Sequence, residues 1–165
     1  MSAPSQVTPA SRFSGGCQCG AVRFSAASLG RASICHCRMC QKAFGSVGGL
    51  LVTAIDLTWT RGEPKRFQSS NKVRRGFCGE CGTTLTYEYE GGEEVAIATF
   101  DRAAEIAPVI QVGIEGRLPW FDSLASLPTR SQAEAAKVAS FFASIVPHQH
   151  PDHDTAVWPP GEHHG

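Results

Sequence analysis

The sequence predicts a mainly β domain that binds metal through cysteines and carries one α-helix near its C-terminal end. Three observations support this prediction. Short runs of alternating apolar and polar residues recur between glycines, one late segment has helical periodicity, and all seven cysteines fall in three close clusters. Alternation at every second residue is typical of half-buried strands, and closely spaced thiols suit a metal ion. We therefore expect a sheet-based core held partly by metal.

The chain has 165 residues, the size of one domain with modest tails. Residues 1–12 are rich in Ser, Pro and Ala, and residues 147–165 are rich in Pro and His, so both are predicted as flexible tails around a domain at 13–146. The formal net charge of zero argues against nucleic acid as a partner. Because the sequence shows neither a secretory signal nor a long apolar run, we expect a cytoplasmic protein with no membrane segment.

Alternating segments predict the strands. They are "AVRFSA" (21–26), "GGLLVTAI" (48–55), "TTLTYEYE" (83–90), "EEVAIATF" (93–100) and "PVIQVGIEG" (108–116). The third and fourth segments flank Gly91 and Gly92, and two glycines supply the positive φ that a tight hairpin turn requires. The sequence therefore predicts a β-hairpin centred on these glycines.

One helix is predicted from about Thr129 to Val146. Ser131 and Glu134 form a capping-box pattern at its start, and Pro147 ends it. Four apolar residues share one face at helical spacing: Val138, Phe141, Phe142 and Ile145. Such a stripe usually covers the protein's own sheet, so we expect this face to pack against the core.

The cysteines lie in "CQC" (17–19), "CHCRMC" (35–40) and "FCGECG" (77–82). Zinc takes four thiolates in a closed structural site, while three protein ligands leave one position open, so seven cysteines divide as four plus three. Spacing alone leaves two divisions open. One joins Cys37 and Cys40 to Cys78 and Cys81; the other keeps the "CHCRMC" trio together and joins the first and last pairs.

Three other interpretations fit the cysteines less well than zinc. A lone cysteine is often a small buried hydrophobe, but three clusters make that explanation improbable for the set. Four cysteines also hold iron–sulfur clusters, although C-x-C spacing differs from the common ferredoxin runs. A thioredoxin-like role for "CGEC" lacks the βαβ context that this motif requires. Zinc is therefore the predicted cofactor.

These motifs resemble a known family. "GGCQCGAVRFSA" (15–26), "CHCRMCQKAFGS" (35–46) and "GFCGECGTTL" (76–85) are similar, in order and spacing, to the motifs of the glutathione-dependent formaldehyde-activating enzymes, a family that includes the domain of centromere protein V. The similarity extends from about Phe13 to Trp120. It implies an antiparallel, tent-like zinc-binding β fold.

The resemblance also implies an assignment of the ligands and an activity. Two zinc ions per chain are expected. The structural zinc would be held by Cys17, Cys19, Cys78 and Cys81, and the open, catalytic zinc by Cys35, Cys37 and Cys40. The implied activity is that of a carbon–sulfur lyase that forms or breaks the adduct of formaldehyde with glutathione, so a small thiol is the expected partner.

Residues inside the trio segment are candidates for binding the thiol or protonating its product. These candidates are Arg38, Gln41 and Lys42, with His36 expected to point away from the metal at the surface or behind a ligand. Family members typically carry Ser in the place of Arg38 and an Arg pair in the place of Gln41 and Lys42, so the substrate need not be the family's. A further departure is "IQVGIEGR" (110–117), where many members have His-Ile-Trp.

Two aromatic residues and the tail histidines complete the predictions. Trp120 and Phe121 would either wall a pocket or pack in the core. His148, His150 and His153 would either supply a fourth ligand or remain solvated, and the entropy cost of docking a tail favours solvation.

The leading functional hypothesis is a zinc-dependent carbon–sulfur lyase-type enzyme. The alternative is a zinc-stabilised protein-binding module without catalysis. The sequence leaves the oligomeric state open, a homo-oligomer included.

Overall fold

The computed structural model describes residues 12–159, and these form two β-sheets with two α-helices. The ten strands are β1 (Phe13–Gly16), β2 (Arg23–Ala26), β3 (Ser28–Cys35), β4 (Gly49–Ile55), β5 (Thr58–Arg61), β6 (Lys65–Gln68), β7 (Val73–Phe77), β8 (Thr84–Tyr89), β9 (Gly92–Ala96) and β10 (Ile110–Val112). The helices are α1 (Arg38–Phe44) and α2 (Gln132–Ala143), with short 3-10 turns at Ile97–Thr99, Ala103–Glu105, Ile114–Gly116 and Phe121–Ser126. The mainly β prediction is confirmed. The predicted N-terminal tail lies almost wholly outside the described residues, as do residues 160–165.

The larger sheet has seven strands in the order β10-β3-β4-β9-β8-β7-β6. All its pairs are antiparallel except β10 with β3, which is parallel. The predicted hairpin is confirmed, since Tyr89 pairs with Gly92 and Gly91 has φ +89°. Each of the five predicted segments overlaps an observed strand. The segment at 93–100 leaves the sheet after Ala96 and continues as a 3-10 turn.

The smaller sheet, β1-β2-β5, closes the core from the other side. Phe24 of β2 is fully buried and meets the rings of Trp59 and Phe100 edge-on at centroid distances of 6.0 and 5.0 Å. Such edge-to-face contacts add to the free energy gained by burying the rings. Phe24 also belongs to one buried cluster with Val52, Leu85 and Val95 of the larger sheet, so the two sheets share an apolar core.

Arg23, on the same strand, is only 2% exposed. Two of its nitrogens donate to the Asp101 carboxylate at 2.8 and 2.7 Å, and its Nε donates to Asp154 at 2.9 Å. A buried guanidinium is stable only when its charge is paired. This ion pair fixes the start of β2 against the loop after Phe100.

Helix α2 confirms part of its prediction and contradicts the rest. The capping box of Ser131 and Glu134 is present, and the helix is shorter than predicted. No residue of α2 is buried: Phe141 is 64% exposed and Phe142 49%. The expected packing of this face against the core is wrong for the described chain, because periodicity shows which side chains share a face but not whether another element lies against it.

The segment after α2 lies against the domain. The His150 backbone N–H donates to the Gln18 carbonyl at 2.7 Å, and Trp158 Nε1 donates to the Cys19 carbonyl at 2.6 Å. His150 is 4% exposed. The expectation that this histidine is solvated is therefore wrong, and the domain boundary at residue 146 stays a prediction. Across residues 12–159 no helix combines the length and apolarity of a membrane span.

Candidate metal centres

The structure brings four cysteines from two distant turns together. Cys17 and Cys19 lie in the turn after β1, where the Gly20 N–H donates to the Cys17 carbonyl at 3.0 Å, and Cys78 and Cys81 lie in the turn between β7 and β8. A tight turn aims the sulfurs of Cys17 and Cys19 at one point.

The four sulfurs all lie within 4.8 Å of one another. Cys17 Sγ is 3.6 Å from Cys19 Sγ, which is 3.9 Å from Cys78 Sγ. Tetrahedral zinc with bonds of about 2.3 Å to sulfur requires neighbouring sulfurs about 3.8 Å apart. The spacing is therefore compatible with a closed four-thiolate site.

Backbone N–H groups also support these sulfurs. Val22 N–H donates to Cys17 Sγ at 3.3 Å and Glu80 N–H to Cys78 Sγ at 3.4 Å. Burial opposes ionisation of Cys81, but hydrogen bonds from the Thr83 hydroxyl and amide outweigh it and lower the pKa of Cys81 to about 6. Donors of this kind stabilise thiolates and orient them towards a cation.

The second cluster contains Cys35, Cys37 and Cys40, whose sulfurs also lie within 4.8 Å of one another. Cys35 ends β3, Cys37 is the N-cap of α1, and Cys40 lies in the first turn of that helix. The Cys40 N–H donates to Cys37 Sγ at 3.4 Å, so the capping residue is also a candidate ligand. Of the two divisions that the spacing left open, the structure has the one that keeps Cys35, Cys37 and Cys40 together. Cys37 and Cys40 are not grouped with Cys78 and Cys81.

The three thiols of this trio differ in acidity. Burial raises the pKa of Cys35 to about 12 and also raises that of Cys40, where the Arg75 guanidinium partly offsets it. Burial likewise opposes ionisation of Cys37, but donation from the Cys40 N–H and the neighbouring thiols lowers the pKa of Cys37. Adjacent thiolates repel one another, and a bound dication removes that repulsion. The donor set is therefore suited to a soft divalent metal.

Behind the trio lies a layer of buried polar residues. His36 is fully buried, and its Nε2 lies 3.0 Å from Gln111 Oε1. Gln41 is 4% exposed, and its Nε2 donates to the carbonyls of His36 and Gly116 at 2.8 and 2.7 Å. A surface position for His36 is thus wrong, while a supporting role behind the ligands stays a prediction; its ring contacts Gln111 and Phe121. Gln41 and Gln111, two of the departures from the family pattern, connect α1 to the 110–116 segment.

Gly113, another departure, contacts the Cys37 backbone. Its φ is +62°, and a Cβ at this position would lie 2.8 Å from Cys37 N. L-residues with a side chain disfavour that φ, and the close approach leaves no room for one. Glycine therefore allows the segment after β10 to lie directly against the trio.

The trio opens onto a cavity of about 300 Å³. Its lining residues are Arg31, Ser33, Cys35, Cys37, Met39, Cys40, Leu51, Arg75, Tyr87, Tyr89, Glu94 and Val112. A concave, partly apolar wall with a few convergent polar groups is typical of small-molecule sites. The cluster of three cysteines therefore faces a space in which a ligand fits, while the cluster of four does not line it.

Of the residues that line this cavity, the sequence analysis identified only the three cysteines as site residues, and two of those that it missed contact each other. Arg75 of β7 and Tyr87 of β8 are direct cross-strand partners, and the guanidinium carbon lies 4.9 Å from the ring centroid. Arg75 Nη2 also donates to Cys40 Sγ at 3.4 Å. Counting back from the pair Phe77 and Thr84 would have placed Arg75 opposite Thr86, because a β-bulge shifts the register between Gly76 and Phe77. Only the tertiary structure shows that Arg75 and Tyr87 pair and face the trio.

The predicted substrate-binding residues lie elsewhere. Arg38 is exposed and donates to Gln41 Oε1 at 3.1 Å, and Lys42 is exposed. Neither these two nor Gln41 lines the cavity. The placement of Arg38, Gln41 and Lys42 at the cavity is therefore not supported, because the first turns of α1 direct them away from it. Phe121 packs edge-on against the His36 ring at 4.6 Å instead of walling the cavity.

A larger cavity of about 620 Å³ lies between the four-cysteine turns and the segment around His150. Three buried polar side-chain atoms of the described chain have no hydrogen-bond partner: His36 Nδ1, Arg75 Nη1 and Arg117 Nε. None of these residues lines the larger cavity. Its buried polar groups are already paired, and His150 serves to anchor the C-terminal segment rather than to reach the trio.

Comparison with known proteins agrees with this geometry. The family model described as glutathione-dependent formaldehyde-activating enzyme matches residues 12–115, well over half of the chain. A Rhodobacter sphaeroides protein of known crystal structure has a similar fold, with a TM-score of 0.50 and 23% identity over 60% of this chain and 99% of the other. No curated protein matches the sequence.

Fold and clusters together define a β-sheet protein with two cysteine sets suited to metal, one enclosed by four thiols and one left open by three. The chain belongs to the family of glutathione-dependent formaldehyde-activating enzymes.

Proposed function

We propose that the protein is a zinc-dependent carbon–sulfur lyase-type enzyme that joins a small thiol, such as glutathione, to formaldehyde or another small aldehyde and catalyses the reverse reaction. One observation carries the proposal: three cysteine sulfurs, with no fourth metal-ligating side chain grouped with them among residues 12–159, face a cavity of about 300 Å³. Family membership and the fit of the thiol geometry to zinc support it.

The two clusters would have different roles. Cys17, Cys19, Cys78 and Cys81 would hold a structural zinc, and Cys35, Cys37 and Cys40 a second one. Zinc bound by three thiolates supplies a free coordination position that favours the ionised form of a thiol.

Charged residues at the cavity suit a zwitterionic thiol. Arg31 and Glu94 both line it. Burial raises the pKa of Glu94, and Arg31 partly offsets this. Glutathione carries carboxylates and an ammonium group, so opposite charges on strands β3 and β9 can orient such a molecule with its sulfur towards the trio. Met39 and Val112 add apolar surface that excludes water.

The chemical step requires a proton donor. When the thiolate sulfur bonds to the carbonyl carbon, the carbonyl π electrons pass to oxygen, which then takes a proton to give the hydroxyl of the adduct. Burial, followed by the charge of Cys40, raises the pKa of Tyr87. Its phenol stays protonated at neutral pH, and it lines the cavity. Tyr87 therefore takes the donor role that the sequence suggested for residues of α1.

Exchange NMR tests the proposal. Formaldehyde and glutathione interconvert with their adduct, and the protein loaded with zinc should accelerate that exchange, while the metal-depleted protein should not. Tyr87→Phe should lower kcat by about 100-fold with little change in KM, since it removes a donor that acts in the transition state. Trp120→Phe, at a 51% exposed aromatic position that does not line the cavity, is the control. Absence of acceleration with two zinc ions bound would refute the enzyme hypothesis for this thiol and aldehyde.

One observation favours the alternative, a zinc-stabilised protein-binding module. The apolar face of α2 is exposed and lies beyond the residues that the family model matches. A large exposed apolar patch on a protein surface commonly marks a site of interaction with another protein. A module of this kind would show no acceleration of exchange, and substitution of Phe141 rather than of Cys35 would abolish its binding.

A further inference from the structure

Arg75 is a buried cation without a carboxylate partner. Its exposure is 1%. Its Nε donates to Ser69 Oγ at 3.1 Å, and its Nη2 donates to Cys40 Sγ at 3.4 Å. The remaining nitrogen, Nη1, is buried and has no hydrogen-bond partner among residues 12–159. An unpaired buried donor on a charged group is costly, so its presence requires an explanation.

The other buried arginine shows the usual solution. Arg23, at 2% exposure, is paired with Asp101 and Asp154. For Arg75 no such pair exists within the described residues. Its guanidinium instead lies over the Tyr87 ring and lines the cavity of the trio. The negative charge that it is placed to meet must therefore come from the trio and from what binds there.

We propose that Arg75 is a positioning and specificity-determining residue of the open site. Its Nη2 holds Cys40 Sγ, and its Nη1 donates to an anionic fourth ligand, so the site selects thiolates over neutral ligands. This inference rests on the proposed function in one respect, that the trio holds a metal ion.

The charge balance supports this role. A dication with three thiolates has a net charge of −1, and a bound thiolate makes it −2. A guanidinium beside the cluster offsets part of that charge, whereas a neutral ligand gains nothing from it. Because Arg75 is buried, salt screens its charge little. The planar guanidinium places Nη1 next to Nη2, which is already on the cluster.

Ligand binding to the cobalt-loaded full chain tests the inference. Co²⁺ replaces zinc in thiolate sites, and its visible absorption reports both metal stoichiometry and an added ligand. The probes are 2-mercaptoethanol, which binds as a thiolate, and imidazole, which binds neutral. Arg75→Met should raise the Kd of 2-mercaptoethanol about tenfold or more and leave the Kd of imidazole within about twofold. The control is Arg74→Met, because Arg74 is exposed and bonded to Glu88 at 2.8 Å; it should change neither Kd.

If Arg75 had a purely structural role, Arg75→Met would raise the Kd of both probes equally. If Arg75 had no role, neither Kd would change. Either result overturns the inference. Arg75→Lys covers the case in which the methionine variant does not fold, since it keeps the charge but loses the two-nitrogen fork. Arg75→Lys should still raise the ratio of the Kd of 2-mercaptoethanol to the Kd of imidazole. An unchanged ratio overturns the inference. If the wild type binds one Co²⁺ instead of two, the proposed function fails and this inference fails with it, whereas two Co²⁺ with an unchanged ratio in both variants refute the inference alone.

Discussion

The two thiol clusters should contribute unequally to stability, and Cys81→Ser against Cys35→Ser measures the difference. Both side chains are half-buried, so the substitutions are matched in exposure. Cys81 belongs to the cluster that joins the turn after β1 to the turn after β7. Cys35 belongs to a cluster confined to the six residues from β3 into α1. A metal bound in the first cluster cross-links distant segments, and one bound in the second does not.

The magnitude follows from the loops that each cross-link closes. Cys19 and Cys78 are 59 positions apart. Closing a loop of that length reduces the chain entropy of the unfolded state, which raises its free energy by about 4 kcal/mol at 25 °C. For the six-residue trio the same relation gives about 2 kcal/mol. With a shift of roughly 2–4 °C per kcal/mol in a domain of this size, Cys81→Ser should lower Tm by about 8–16 °C. Cys35→Ser should lower it by about half as much.

Thermal unfolding followed by circular dichroism at equal protein concentration measures both variants, with metal content determined on the same samples. The wild type treated with a chelator gives the limit of full metal loss. Cys81→Ser should approach that limit, while Cys35→Ser should lose one metal and retain most of its stability. Equal decreases in Tm, or a larger decrease for Cys35→Ser, would refute the assignment of the structural role to the four-cysteine cluster.

Three further predictions concern residues outside the cavity. Gly20→Ala should release the C-terminal segment, seen as faster proteolysis after α2, because a Cβ there would overlap the His150 ring; Gly91→Ala has a similar positive φ but open space, and should not release it. Asp101→Asn should lower the free energy of unfolding at pH 7 by roughly 3 kcal/mol. Burial opposes ionisation of Asp101, but its arginine and serine partners lower its pKa, so the wild type loses this stabilisation as the pH falls below about 4 and the variant should show a flatter acid slope in urea titrations. Phe141→Ser should change the unfolding free energy by less than about 0.5 kcal/mol, because the ring is 64% exposed; a loss of 3 kcal/mol or more would show that it packs in a core.

Local patterns determined the features that depend on neighbouring residues. Alternation and paired glycines predicted the strands and the β8–β9 hairpin, since both depend on backbone conformations that a few residues set. The capping box at Ser131 was likewise predicted correctly. Cysteine spacing showed that metal ligands were present but left their division open. It could not show which turns meet in space.

Only the tertiary structure decided what surrounds the open cluster. The short helix capped by Cys37 turns Gln41 inward to the backbone and leaves Arg38 outside, so the charged residues nearest in sequence are not those of the cavity. Arg75 and Tyr87 arrive there from another hairpin. The apolar stripe of α2 is a second case in which the sequence pattern did not predict the tertiary contacts. The pattern placed these side chains on one face, but no other element packs against that face within the described residues.

The sequence by itself thus determined a β-rich protein with two sets of thiols, because strand alternation and ligand spacing are short-range properties of the chain. Which sulfurs share a site, and which cation and phenol face them, depended on the antiparallel register of β7 with β8 and on the packing of the two sheets. Those contacts join residues tens of positions apart, and no local pattern encodes them.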